Sequence, residues 1–157
     1  FKALKSFHSV PIINAVEFLH ASYADLQNIT FVKDFLAFLP NTPPKHAVKL
    51  MIAKEHTEAY LVDEWGKYQG KIRLVDLMAN TAQKQCYILR ENNEVLLTDV
   101  DSILQGIETC KDFVGESIPV INQETNTLVG IITESDLFKA YLDLNRQIRD
   151  LEAGLRN

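Results

Sequence analysis

The chain has 157 residues, 46% hydrophobic and 24% charged, with a net charge of −5, the composition of an ordinary globular protein. A chain of this length buries about 70% of its unfolded surface and accommodates one domain or two small ones. The acidic balance excludes the basic footprint of a nucleic-acid binder, and no run approaches the ~18 apolar residues of a membrane span. Phe1-Lys2-Ala3-Leu4-Lys5 is followed by no long apolar core, so no signal peptide is expected. The chain begins without methionine and is expected to be a piece of something longer, which can belong to a membrane protein. Cys86 and Cys110 lack ligand-like spacing and read as two free thiols.

Residues 1–9 read as a loose lead-in. From Pro11, the apolar residues Ile12, Val16, Leu19, Tyr23 and Leu26 recur at spacings of 4, 3, 4 and 3, which predicts a helix with one narrow apolar seam. That seam packs on its own domain or on a second helix. Ile29 to Leu39 is read as an opening segment and first strand. Thr42 is expected to cap a helix with Pro43 at its first position and Ala47, Val48, Met51 and Ile52 inward. Glu58 to Val62 and Tyr68 to Arg73 predict two strands joined by a turn, followed by a short helix from Val75 to Met78 and a linker at Asn80 to Lys84.

Cys86 to Leu89 and Val95 to Leu97 read as the opening of a second copy, and Asp101 to Asp112 as a helix with Ile103, Leu104 and Ile107 inward. Ser117 to Ile121 and Gly130 to Ile132 are apolar runs rich in β-branched residues around a polar turn, the pattern of a hairpin. Thr133 then offers a helix cap, with Glu134 and Asp136 in the first turn where the helix dipole favours negative charge. The last helix runs from Glu134 almost to the end, with Leu137, Tyr141, Leu144, Ile148, Leu151 and Leu155 at spacings of 4, 3, 4, 3 and 4. Such a seam suggests helix pairing, within the chain or between subunits.

These elements repeat. At an offset of 59, Val120-Ile121-Asn122 falls on Leu61-Val62-Asp63, and beyond the turn, at 60, Gly130 and Asp136-Leu137 fall on Gly70 and Asp76-Leu77. The one-residue difference lies in the turn, where length is tolerated. Pro119-Val120-Ile121-Asn122 with Gly130-Ile131-Ile132-Thr133-x-x-Asp136-Leu137 resembles the second half of a CBS motif, the unit named after cystathionine β-synthase. The resemblance implies an α/β fold: a tandem β-α-β-β-α pair with pseudo-twofold symmetry, plus an N-terminal helix and an extended C-terminal helix. The expected division is 1–28 for the lead-in and helix, 29–80 and 81–144 for the two motifs, and 145–157 for the helix extension.

Thr133 and Asp136 place a hydroxyl and a carboxylate at one helix start, suited to a phosphate oxygen and to ribose hydroxyls, or to capping alone. In the CBS family this pair resembles the adenosine contact, which implies ATP, ADP or AMP as candidate ligands. The other copy of such a pair supplies its opening segment and the residues before its second strand, here Thr30 with His56 and Thr57; His56 reads equally as an exposed loop histidine. Arg73 stands where Thr133 stands in the other copy and is expected to fill that pocket or pair with Asp76, leaving one good site. No metal-binding histidine spacing, nucleophile elbow or Gly-rich phosphate loop is present, so no enzyme is expected.

The tail Asp136-Leu137-Phe138-Lys139-Ala140-Tyr141-Leu142 and the segment Thr30-Phe31-Val32-Lys33-Asp34 are similar to bacterial ClC chloride proteins. That resemblance implies a homodimeric module on the cytoplasmic side of the membrane, partnered with the transmembrane portion of its parent. Two functions stay open: a sensor of an adenine nucleotide, and a ligand-free dimerisation scaffold.

Overall fold

The alternation of apolar residues along Glu58–Val62 and Tyr68–Arg73 decides the first half of the architecture. The structure, a computed structural model, describes residues 34–156. Its first unit runs β1 (Ala37–Phe38), α1 (Pro44–Lys54), β2 (Glu58–Val62), β3 (Tyr68–Arg73) and α2 (Leu74–Met78). The second runs β4 (Leu97–Thr98), α3 (Ile103–Thr109), β5 (Ile118–Ile121), β6 (Leu128–Ile132) and α4 (Glu134–Arg156). Each unit is β-α-β-β-α with a three-stranded sheet, in orders β1-β2-β3 and β4-β5-β6. The expected α/β fold is therefore present. The helix expected from Pro11, and Thr30, lie outside the described residues.

The repeat holds at the level of register. Phe38 pairs with Leu61 in parallel and Leu61 with Gly70 antiparallel; Leu97 pairs with Val120 and Val120 with Gly130 in the same way. Both hairpins carry a register shift at the equivalent place, Leu61/Val62 and Val120/Ile121. The units join where equivalent positions meet. Lys67 bridges Thr127, its counterpart at the offset of 60, and the amides of Tyr68 and Leu128 donate to the carbonyls of Asn126 and Gly66 at 2.9 and 3.1 Å. An antiparallel bridge between equivalent residues is what a twofold axis through that point requires.

Side chains on a strand alternate between faces. Ala59, Leu61 and Ile72 therefore turn to a core shared with Ala47, Met51 and Leu77 of the helices. Tyr60 and Tyr68 turn the other way, to meet Ile121 and Ile131 of the second unit. The second unit repeats the helix-side core with Leu97, Ile103, Leu104, Ile118, Val120, Ile132 and Leu137.

Four local expectations are corrected. Pro43 is the N-cap of α1 and Pro44 its first residue, with no side-chain cap from Thr42. Ile52 is exposed, because Pro44, Ala47 and Met51 set the buried stripe and Ile52 lies about 100° around the helix from Met51. Cys86–Leu89, expected to open the second copy, is a 3₁₀ turn that belongs with the first unit. Its amides at Cys86 and Tyr87 donate to the loop carbonyls of Thr42 and Pro40, and Cys86 packs in the first unit's core. The helix expected over Asp101–Asp112 is shorter, since Ser102 caps it by accepting from the Gln105 amide at 3.0 Å. Both cysteines are free and buried, and burial pushes their thiols up to about 11.

One charged pair is buried between the units. Lys71 stands at the position of Ile131 and is 1% exposed; its ammonium lies 3.0 Å from Glu58 and donates to the Ser117 carbonyl at 2.7 Å. Glu58 accepts from the Ser117 amide and hydroxyl at 3.0 and 2.8 Å, and Tyr60 shares a hydrogen bond with the same hydroxyl. Burial raises the Glu58 carboxyl, but Ser117 and Lys71 outweigh it, so its pKa lies below the ordinary 4.5.

Lys71→Met is expected to destabilise the protein by about 3–5 kcal/mol in urea unfolding at neutral pH, since it strands a buried carboxylate. Adding Glu58→Gln should recover much of the loss. A depressed carboxyl pKa contributes stability that is complete above its unfolded value. Wild-type stability should therefore fall as pH drops below 4.5 through the folded value, and the double variant should lose less over that window.

The seam of α4 packs inside the chain over part of its length. Leu144 and Ile148 are each 2% exposed and belong to the second unit's core cluster. Leu144→Ala is accordingly expected to cost about 2–5 kcal/mol of unfolding free energy. An equally stable variant with a weakened dimer would instead place this residue between subunits.

Candidate functional site

The pseudo-twofold axis puts the ends of β2 and β5 beside one another, and with them the residues that precede each strand. The Thr57 hydroxyl donates to Glu116 at 2.7 Å, and Glu58 accepts from Ser117; both pairs are equivalent positions at the offset of 59. On one side of this seam lies a cleft of about 340 Å³. Phe35, His56, Thr57 and Tyr60 of the first unit line it with Glu116 and Thr133 of the second.

Three of the five residues picked out from the sequence, His56, Thr57 and Thr133, thus share one cavity. Thr30 lies outside the described residues. Asp136 is placed at the cleft's edge through its bond to Thr133 rather than in the lining. The two form a reciprocal cap: the Thr133 hydroxyl accepts the Asp136 amide at 3.0 Å, and Asp136 Oδ2 accepts the Thr133 amide at 3.3 Å. The first turn of α4 also carries Glu134, so acids already complement its dipole.

Phe35 meets Tyr60 edge to face with ring centroids 5.8 Å apart, giving the cleft an aromatic wall beside the half-buried His56. Tyr60 is buried, and burial followed by the neighbouring carboxylates keeps its hydroxyl protonated well above the ordinary range, despite the bond to Ser117. Chemically the cleft offers a flat surface for a ring, hydroxyls and an imidazole for polar edges, and carboxylates at its mouth. Among the described residues, no group of three or more metal-ligating side chains is present.

The equivalent cleft on the other side differs. Arg73 takes the place of Thr133; its Nη2 donates to the Val114 carbonyl of the second unit at 2.9 Å, and its Nε pairs with Glu91. The cation therefore spans the gap between units, paired with Glu91 rather than Asp76, which is exposed. Lys71 fills the position that Ile131 holds in the first cleft, 5.3 Å from the Phe113 ring centroid. The remaining hollow, about 350 Å³, is displaced outward toward Leu74, Val75 and Met78.

Glu58, Lys71, Glu116 and Ser117 were not legible as site residues from local motifs. The offset of 59 carried a signal for three of them: residues at the starts of equivalent strands face each other where a repeat closes on a twofold axis, which pairs Thr57 with Glu116 and Glu58 with Ser117.

Comparison with known proteins agrees with this geometry. Residues 97–143 match the model of the CBS domain family. No curated protein matches the chain significantly. Among solved structures, a CBS domain pair/ACT domain protein from Thermotoga maritima is 15% identical with a TM-score of 0.64, over 76% of this chain and 97% of that one. A CBS domain pair in complex with 5'-methylthioadenosine and S-adenosyl-L-methionine is 21% identical with a TM-score of 0.57, over 74% and 94%. The cytosolic domain of the Mg2+ channel MgtE in complex with ATP is 18% identical with a TM-score of 0.63, over 74% of this chain and 48% of that one. The register-matched β-α-β-β-α units, the family match over the second of them and these structural relatives together give the chain the fold of a CBS domain pair.

Proposed function

We propose that this chain is the regulatory module of a membrane ion transporter, acting on the cytoplasmic side as a homodimer and sensing an adenosine-type ligand in the His56/Thr57/Thr133 cleft. The observation that carries the reading is the asymmetry of the two clefts: one presents Thr133 and Ile131 with no lysine or arginine among its described lining residues, while the other is spanned by Arg73 and backed by Lys71. ATP, ADP and AMP are the sequence-based candidates. Structural relatives described with ATP, or with 5'-methylthioadenosine and S-adenosyl-L-methionine, support the ligand class, and the Mg2+ channel domain supports attachment to a transporter. The segment Thr30–Asp34 and the tail from Asp136 support a ClC-type chloride protein as the parent. No described helix is long and apolar enough to cross a membrane.

In this reading the base packs against Phe35 and His56, with Thr133 toward the 5′ substituent. Asp136 accepts the Thr133 amide through Oδ2, which leaves Oδ1 for a ribose hydroxyl. The scaffold reading has its own support, because the Thr133–Asp136 cap is complete without a ligand. Exposed apolar side chains on α2 and α4, Val75, Met78 and Phe138, support self-association in either case.

Titration calorimetry separates the two. Hydrogen bonds to a charged acceptor contribute about 1.5–3 kcal/mol, so Asp136→Ala should weaken an adenosine ligand roughly tenfold to hundredfold. Asp76→Ala, in the spanned cleft, should leave affinity unchanged. Equal losses from the two variants would move the site, and no heat with any adenosine compound would leave the scaffold. For assembly, Phe138→Glu is expected to convert the sedimenting species from dimer to a folded monomer, as the side chain is exposed within one chain.

A further inference from the structure

Among the described residues, the charge around the open cleft is one-sided. Glu116 lines it with its Oε2 held 2.7 Å from the Thr57 hydroxyl, and Glu55 lines it at the left-handed C-cap of α1, with φ of 60°. Glu58 also borders it, neutralised by Lys71. Glu134 and Asp136 stand in the first turn of α4, next to Thr133. Against these, no lysine or arginine lines the cleft among the described residues. Lys71 is committed to Glu58 and the Ser117 carbonyl, and Arg73 to Glu91 and the Val114 carbonyl in the opposite cleft.

The helix terminus that would ordinarily bind an anion is partly capped from within. The amides of Thr133 and Asp136 already donate to Asp136 Oδ2 and Thr133 Oγ1. A phosphate placed there would face the carboxylates of Glu134 and Asp136 in the same turn. Like charges brought together in a partly desolvated site oppose binding, and such juxtapositions act chiefly as filters of ligand type.

We infer that the open cleft selects an adenosine derivative without phosphate, uncharged or cationic at its 5′ end, and rejects nucleoside polyphosphates, with Glu55 and Glu116 as the discriminating groups. This rests on the reading that the cleft holds adenosine, and sharpens it. A positive 5′ substituent, such as a sulfonium, would lie between Thr133 and the two carboxylates. A neutral thioether would escape the repulsion without gaining the attraction.

Calorimetric titration of the full chain with 5'-methylthioadenosine, S-adenosylmethionine, AMP and ATP tests it at two salt concentrations. Both unphosphorylated ligands should bind more tightly than ATP by about tenfold or more at low salt, and salt should narrow the gap by screening. The Glu55→Gln/Glu116→Gln variant should weaken S-adenosylmethionine, leave 5'-methylthioadenosine unchanged and strengthen ATP. ATP or AMP binding as tightly as 5'-methylthioadenosine would overturn the selectivity while leaving an adenosine site in place, as would a ligand order that the double variant does not alter. Silence with all four ligands would overturn both the selectivity and the adenosine reading.

Discussion

Lys71, Glu58 and Ser117 form the contact on which the relation between the two units depends. A lysine in the apolar layer between two sheets is stable only with a carboxylate and further acceptors. Here each partner comes from a defined place. Glu58 opens β2 of the same unit, and Ser117 precedes β5 of the other, at the position equivalent to Glu58. The network thus ties the strand that carries the charge to the axis about which the units are arranged. A shift of one unit against the other would strand a buried ion, so the polar contact specifies geometry where Tyr60, Tyr68, Ile121 and Ile131 supply apolar burial.

The same network breaks the symmetry of the pair. With Ile131 replaced by Lys71 and Thr133 by Arg73, the cleft on that side carries two cations, both of which are consumed in holding the units together. The opposite cleft keeps the apolar floor at Ile131 and the small hydroxyl at Thr133, with no cation in its described lining. These two differences between the copies accompany the contrast between one structural clamp and one candidate pocket. The cost of the clamp is charge: the cations that might have faced an anionic ligand are spent elsewhere, and Glu55 and Glu116 set the field of the cleft that stays open.

Much of the architecture was legible in the residues because it rests on local periodicity and on repetition. The hairpins at Glu58–Arg73 and Ile118–Ile132, the helices that follow them and the offset of 59 all survive in the structure with matched register. What failed was short and context-dependent. Cys86–Leu89 reads as the opening of the second copy, yet its amides meet loop carbonyls at Thr42 and Pro40 and it forms a turn against the first unit. Ile52 is apolar and exposed because the stripe containing Met51 was already sufficient to cover the sheet.

By itself, then, the sequence determined the element order, the duplication and the single intact Thr133/Asp136 pair, since each follows from spacing along one chain. Tertiary structure alone decided which side chains face each other across the axis. It brought His56 and Thr57 to Thr133, sent Arg73 to Glu91 and Val114 rather than Asp76, and buried Leu144 and Ile148 in their own unit. The physical reason is distance along the chain: Lys71 lies 46 positions from Ser117 and Arg73 lies 41 from Val114, where no local periodicity reports on the contact; only closure of the two sheets about their common axis brings those groups within hydrogen-bonding distance.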